Sequence, residues 1–418
     1  MKIFHLSLCL ILTTGLAKTH AENWPEFRGP SGQGHSSAEN LPTEWNQSKN
    51  VAWKKSIDGK GWSSPVLVDN RLFLTTAVDD NPGSNNTDRS LRALCLDANS
   101  GEEIWNVEVF EQDADDAYKI HKKNSHASPT PLYENERLYV HFGHDGTACL
   151  DARTGKVLWK QDNLRFPPVH GNGGCPIIAG DHLIFSCDGG KAPFIAALNK
   201  NNGRVAWKTA RNVKVDRPFS FATPLLIKVN GQDQVISPAS GAVMAYDPKT
   251  GKEIWRCRYG QGYSVVPRPV FAHDLVFVCS GFNRANLLAI RPDGTGDITD
   301  SHIAWTAEKG VPKNASPIVV GDYLYMVDDS GVASCLEAKT GKVSWQERLR
   351  GNFSASPLFA DGKLYFLSEE GTTYVVDAKP KFRLIAENKL NEPALASITP
   401  ADNTLFIRTE ENLYRIEG

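Results

Sequence analysis

The segment ACLDARTGKVLW (148–159) decides the architecture. It returns as LCLDANSGEEIW (94–105), MAYDPKTGKEIW (244–255) and SCLEAKTGKVSW (334–345), with AALNKNNGRVAW (196–207) as a looser fifth copy. Apolar residues before the acidic position alternate as a β-strand requires, the D-x-x-T-G-K block reverses the chain, and a second short strand ends at tryptophan. Asp151 is placed to accept backbone N–H bonds across the turn, and Gly155 to take the positive φ a tight hairpin needs. Trp53, Trp105, Trp159, Trp207, Trp255, Trp305 and Trp345 follow one another at intervals of 40 to 54 residues. A period of that length marks a repeat architecture rather than a string of unrelated domains.

Upstream of each hairpin lies a second signature, a small or polar residue before proline: Ser64-Pro65, Ser128-Pro129, Cys175-Pro176, Thr223-Pro224, Arg268-Pro269, Ser316-Pro317 and Ser356-Pro357. Proline at the start of a strand needs no donor in the ladder and fixes how the chain enters it. Each unit therefore holds four strands, A to D, from the proline run to the tryptophan strand. Antiparallel units of this size fit propeller blades stacked around an axis.

Seven proline runs are present, and the tail ASITPADNTLFIRTEENLYRIEG (396–418) supplies an eighth that stops before any D strand. Conversely, NVAWKKSI (50–57) is a D strand with no A, B or C strand before it. The two ends complete each other. The expectation is an all-β, eight-bladed β-propeller over residues 50–418, its last blade closed by an N-terminal strand that removes two open edges. Blades are expected near 62–109, 126–163, 173–211, 220–259, 266–309, 314–349, 354–388, and 395–418 joined to 50–58. With its edges closed in this way, the chain is expected to be a monomer.

The first 21 residues read as a signal peptide, with Lys2, an apolar run over 3–17 and small side chains before Ala21. That run is too short for a transmembrane anchor, so an exported protein, periplasmic or extracellular, is expected. Residues 22–49 are rich in glycine and proline and read as an extended strap, docked through Trp24 and Phe27 or left as an arm. Insertions at 78–90 and 106–124 belong to the first blade and either gate a site or decorate the rim. The formal net charge of -2 gives no reason to expect a nucleic-acid partner.

Of the cysteines, Cys95, Cys149 and Cys335 hold one repeat position and read as buried thiols. A Cys175–Cys187 bridge is the alternative. Asp293 to Asp297 reads as a turn insertion replacing the T-G-K turn of the fifth blade.

Function, if any sits at the axis, belongs to the crossings from D to the next A strand. These bring Trp62, His126, His170, Asn172, Arg217, Phe219, Tyr263, Arg268, Asn314 and Asn352 towards a funnel, with His141, His144 and Asp145 approaching from a B-to-C loop. Arg217 and Arg268 suit a carboxylate fork, and Trp62 or Tyr263 suits stacking, so these four are the candidate ligand contacts. His126, His170, Asn172, Asn314 and Asn352 are candidate substrate contacts. A merely solvated funnel is the competing reading. No zincin or other metal-ligand spacing is present, and no metal site is expected.

Segments such as ACLDARTGKVLW and MAYDPKTGKEIW resemble the tryptophan-docking repeat of quinoprotein alcohol dehydrogenases and of the periplasmic propeller that assists outer-membrane protein assembly. The opening NWPEFRGPSGQGHS, with LPTEW, NVAWK and GWSSPVL, resembles secreted quinoprotein-like repeat proteins of planctomycete bacteria. The resemblance implies either a binding or assembly scaffold for an envelope protein, peptide or small ligand, or an alcohol dehydrogenase using pyrroloquinoline quinone and calcium. The adjacent cysteine pair of many such dehydrogenases is missing, and no catalytic Asp or calcium-binding set can be matched. A scaffold without cofactor is therefore the first expectation.

Overall fold

The computed structural model describes residues 22–82, 84 and 87–418; the expected signal peptide lies outside these residues. Eight separate sheets are present, in which successive strands pair antiparallel in the order A-B-C-D. In blade 2 these are Leu132–Glu134, Arg137–His141, Thr147–Asp151 and Val157–Gln161. Blade 8 is built from Thr399–Ala401, Thr404–Arg408 and Asn412–Glu417, and its D strand is Val51–Ser56 from the other end of the chain. Trp53 pairs with Arg415 and Lys55 with Leu413 across that junction. Glu392 braces it, accepting from Lys54 Nζ (2.6 Å), Asn412 Nδ2, Thr409 Oγ1 and the Tyr414 hydroxyl.

The hairpin chemistry works as the repeat requires. Asp151 Oδ1 accepts from the Thr154 amide and hydroxyl, and Gly155 sits at φ 74°. That glycine also serves the neighbouring blade, because a Cβ there would lie 2.9 Å from the Trp105 ring. Trp105 donates its indole N–H to Ala152 O, just beyond Asp151. The same bond runs from Trp53 to Ala98, Trp159 to Lys200, Trp207 to Pro248, Trp305 to Ala338 and Trp345 to Lys379. Each tryptophan thus fills the wedge between blades and satisfies a turn carbonyl of the next one.

Two interfaces depart from this rule. Blade 5 carries the insertion, and Gly296–Asp297 adds a fifth, parallel strand beside Trp255 and Arg256 of blade 4. Trp255 there donates to Gln234 Oε1, while Gln234 Nε2 donates to Pro292 O, so one amide relays the missing bond. Blade 7 has Ala386 where the others have tryptophan. Its place is taken by Trp45, 3% exposed, which stacks on Tyr365 as Trp345 packs on Tyr325. Asn388 holds it, accepting from the Trp45 amide and donating to Thr43 O.

The register explains the recurring cysteines. Cys95, Cys149 and Cys335 lie directly opposite Trp105, Trp159 and Trp345, where Ala197, Ala245 and Ala289 serve in other blades. A small side chain leaves room for the indole. All seven described cysteines are free and buried, Cys175 and Cys187 included. Among the described residues no helix is long and apolar enough to cross a membrane.

Residues 22–49 run under the ring. Trp24 forms a bridge with Leu67 of blade 1, the Tyr133 amide of blade 2 donates to Pro25 O, and the Phe271 amide of blade 5 donates to Gln33 Oε1. Gly34 and Ser36 bond Phe359 of blade 7. These partners all belong to A strands, so the turn at 26–34 sits across the axis.

Candidate functional site

At the axis the residues just before or beside each A-strand proline form a circuit. The Ser64 amide donates to Thr130 Oγ1 (2.9 Å), Thr130 to Cys175 Sγ (3.1 Å) and Cys175 to Thr223 Oγ1 (2.9 Å). Beyond blade 5, Arg268 N donates to Ser316 Oγ (2.9 Å), Ser316 N to Ser356 Oγ, Ser356 N to Ser397 Oγ and Ser397 N back to Ser64 Oγ (each 3.0 Å). The one missing link is from blade 4 to blade 5, where Arg268 stands in place of a small hydroxyl residue. Its Nε donates instead to Pro224 O, and its Nη1 reaches Phe27 O of the strap at 2.6 Å.

Above this circuit opens a cavity of about 520 Å³, with Phe27 at its base. Its walls are apolar: Trp62, Phe219, Phe221, Tyr263, Val266, Phe282 and Leu395. Its rim carries His121, Lys123, Asn124, His170, Arg217 and Asn314. Arg217 lies over the Tyr263 ring (4.7 Å to its centre) and donates to its hydroxyl at 2.6 Å, leaving the rest of the guanidinium facing the opening. Phe219 meets both Tyr263 and His170 edge-on.

Part of the rim comes from the insertion at 106–124. His121 donates its amide to His170 O, Asn124 Nδ2 bonds the same carbonyl, and Tyr118 rests edge-on against His144. Lys123 reaches Glu369 of blade 7 at 2.6 Å. Burial, then the neighbouring His170 and lysine charges, lowers the His121 pKa, so this imidazole is held towards its neutral form.

The expected site residues divide accordingly. Trp62, His170, Arg217, Phe219, Tyr263 and Asn314 line the cavity together. Arg268, 2% exposed, is committed to the strap, with Glu26 at 3.6 Å. Burial raises the Glu26 pKa against the lowering pull of Arg268. Asn172 is buried against Phe142 O and His144 Nδ1, and Asn352 is bonded to Glu370. His126, His141 and His144 do not line it either. Burial lowers their pKa values to about 4, about 3 and about 4, with neighbouring cationic groups adding to the fall and Asp79 opposing it at His126, so they are packed as neutral rings. Beside them burial pushes Asp145 up to about 6. Among the described residues no group of three His, Cys, Asp or Glu side chains is arranged to hold a metal ion.

The axial hydroxyls and the wall residues Phe221 and Phe282 went unselected in the sequence. The proline runs carried part of the signal, because Ser64, Thr223, Ser316 and Ser356 stand directly before a proline, whereas Thr130 follows Pro129 and Ser397 stands three residues before Pro400. The fit of a calcium-held quinone is poor: among the described residues no Asp or Glu side chain lines the cavity to ligate the ion or take a proton.

A family model described as outer membrane protein assembly factor BamB matches residues 89–328 and 294–381. The chain is similar to BamB of Escherichia coli, 24% identical over 392 residues and 89% of each chain. It is 24% identical over 262 residues to tetrathionate hydrolase of Acidithiobacillus ferrooxidans, and 23% over 289 residues to quinohemoprotein alcohol dehydrogenase ADH IIB of Pseudomonas putida. The matches cover 48% and 40% of those two relatives, about half their length or less. BamB of Moraxella catarrhalis shares the fold, with a TM-score of 0.59 at 14% identity, covering 88% of this chain and 99% of that one.

Proposed function

The chain belongs to the propeller family described as outer membrane protein assembly factor BamB, and from that premise we propose that it is an extracytoplasmic binding scaffold whose axial cavity receives a peptide segment or small ligand. The observation that carries this reading is the cavity itself. It is closed at its base by the chain's own strap, walled by aromatic rings and rimmed by cationic and amide side chains, with no acidic side chain lining it. A blind apolar recess with a few convergent polar groups is built to bury a guest rather than to pass solvent.

Among the described residues, none lining the cavity pairs a nucleophile with a base or sets a general acid beside a carboxylate, so the residues there bind and orient. Export to the envelope, expected from residues 1–21, agrees with a family described by outer-membrane protein assembly. The test is to purify the protein from its native envelope and examine the cavity by crystallography and native mass spectrometry, beside a Phe219→Arg variant that fills it. The reading expects a retained guest that the variant loses while keeping the β-sheet circular-dichroism spectrum of the folded ring. An empty cavity in the native preparation, together with no thermal shift from hydrophobic peptides or acids, overturns it.

A further inference from the structure

The base of the cavity determines which end of a guest enters first. In five side chains of the axial circuit, Ser64, Thr130, Thr223, Ser316 and Ser397, the oxygen already accepts an amide N–H from the neighbouring blade. Among the described residues the hydroxyl hydrogens of Ser64, Ser316 and Ser397 have no protein acceptor, Ser316 also accepting from Ser356 Oγ, whereas those of Thr130 and Thr223 have the Cys175 sulfur within reach. All five are more than nine-tenths buried, and all line the cavity. A hydroxyl that has spent a lone pair on an amide still has its hydrogen to give. The base thus carries an arc of free donors on the side of blades 6, 8 and 1.

The electrostatics point the same way. No acidic side chain lines the cavity, and the buried guanidiniums of Arg28 and Arg268 belong to the strap and the A strand that close the base. Glu26 is the carboxylate paired with Arg268, while Arg28 donates only through Nη2, to Gln33 O and Pro317 O. Its Nε and Nη1 have no partner. Two buried cations beside one carboxylate leave the base positive. A recess closed at one end admits the terminus of a molecule more readily than its middle.

Resting on the binding reading above, we infer that the base holds the carboxylate terminus of an apolar ligand, with the hydroxyls of Ser64, Ser316 and Ser397 donating to its oxygens and the ligand body lying against Phe219, Phe221, Tyr263 and Phe282. A peptide C-terminus and a free hydrophobic acid share this chemistry. Charge-assisted bonds to a carboxylate are lost when the oxygen acceptor becomes a neutral amide, which places donors against donors.

Calorimetric titration of the full chain tests this with four compounds: the tripeptide acetyl-Leu-Phe-Phe as free acid and as C-terminal amide, and 3-phenylpropanoate and its amide. The inference expects an acid to bind at least about tenfold more tightly than its amide. Tight binding of the peptide acid alone assigns the source to a peptide C-terminus, and of phenylpropanoate alone to a free acid. A Ser64→Ala, Ser397→Ala double variant should bring the acid most of the way down to the affinity of the amide. Should that variant fail to fold, the acid-to-amide ratio of the unaltered protein decides by itself. Equal affinities overturn the inference and keep the binding reading; no affinity for any of the four overturns the inference, and the native-envelope test then decides the binding reading.

Discussion

Two circuits of hydrogen bonds run around the molecule, one through the tryptophans of the outer wall and one through the hydroxyls at the axis, and both lose their regular link between blades 4 and 5. The repairs differ. At the wall, blade 5 has exchanged its T-G-K turn for an insertion, and the neutral amide of Gln234 spans from Trp255 to Pro292 O. At the axis, Arg268 replaces a small hydroxyl residue and sends its guanidinium out of the circuit to Pro224 O and Phe27 O. A dry wedge tolerates only a local, uncharged repair, since a charge there would have no partner. The axis has the strap beside it, and the break became the anchor that closes the cavity base.

The comparison breaks most visibly if the wall is not what holds the blades. Trp105→Ala should cost about 3–5 kcal/mol in denaturant unfolding, because it empties a buried wedge and orphans Ala152 O. Trp45→Ala should cost as much as the tryptophans it imitates; a loss under about 1 kcal/mol would show that the strap indole is ornament. Arg268→Met tests the axial repair. Removing one partner of a buried pair leaves Glu26 uncompensated, so a penalty of about 3–5 kcal/mol and faster limited proteolysis within 22–49 are expected. Adding Glu26→Gln should return part of both, and an unchanged cleavage rate in Arg268→Met would contradict the anchor.

Smaller effects sharpen the contrast. Gln234→Leu should cost about 1–3 kcal/mol, the penalty of two buried groups losing their relay, and a double-mutant cycle with Trp255→Phe should show coupling. The smallest effect belongs to the closure of blade 8. Burial raises the Glu392 pKa, but bonds from Lys54, Tyr414, Thr409 and Asn412 outweigh it and hold the group at about 2, below the ordinary 4.5. A carboxylate depressed in the fold stabilises it above its unfolded pKa and loses that contribution as pH falls through the folded value. The melting temperature should therefore drop between pH 4.5 and 2 by more in the unaltered protein than in Glu392→Gln. Parallel curves would place the closure elsewhere.

The hairpins were legible because a turn is local chemistry: Asp151, Thr154 and Gly155 lie within five residues and make their bonds to one another. Ring closure was legible because the tail lacks one strand and the region around Trp53 supplies one. Trp45 was not recognisable as the missing tryptophan of blade 7, since its partners Tyr365 and Asn388 are more than 300 residues away. Arg217 and Arg268 occupy similar crossings and looked alike, yet one faces the opening and the other is sealed under it. Lys123 and His121 were visible only as charges in an insertion until the loop was seen over the mouth.

Repetition alone determined the blade, the number of blades and the way the ends meet, since each blade pairs strands close in sequence and the period shows that the tail lacks the one strand the region around Trp53 supplies. Tertiary structure alone decided that the axis is a closed cup rather than an open channel, and which polar groups face into it. Side chains far apart in sequence compete there for the same few partners, and only their simultaneous placement says which are spent and which are left to bind.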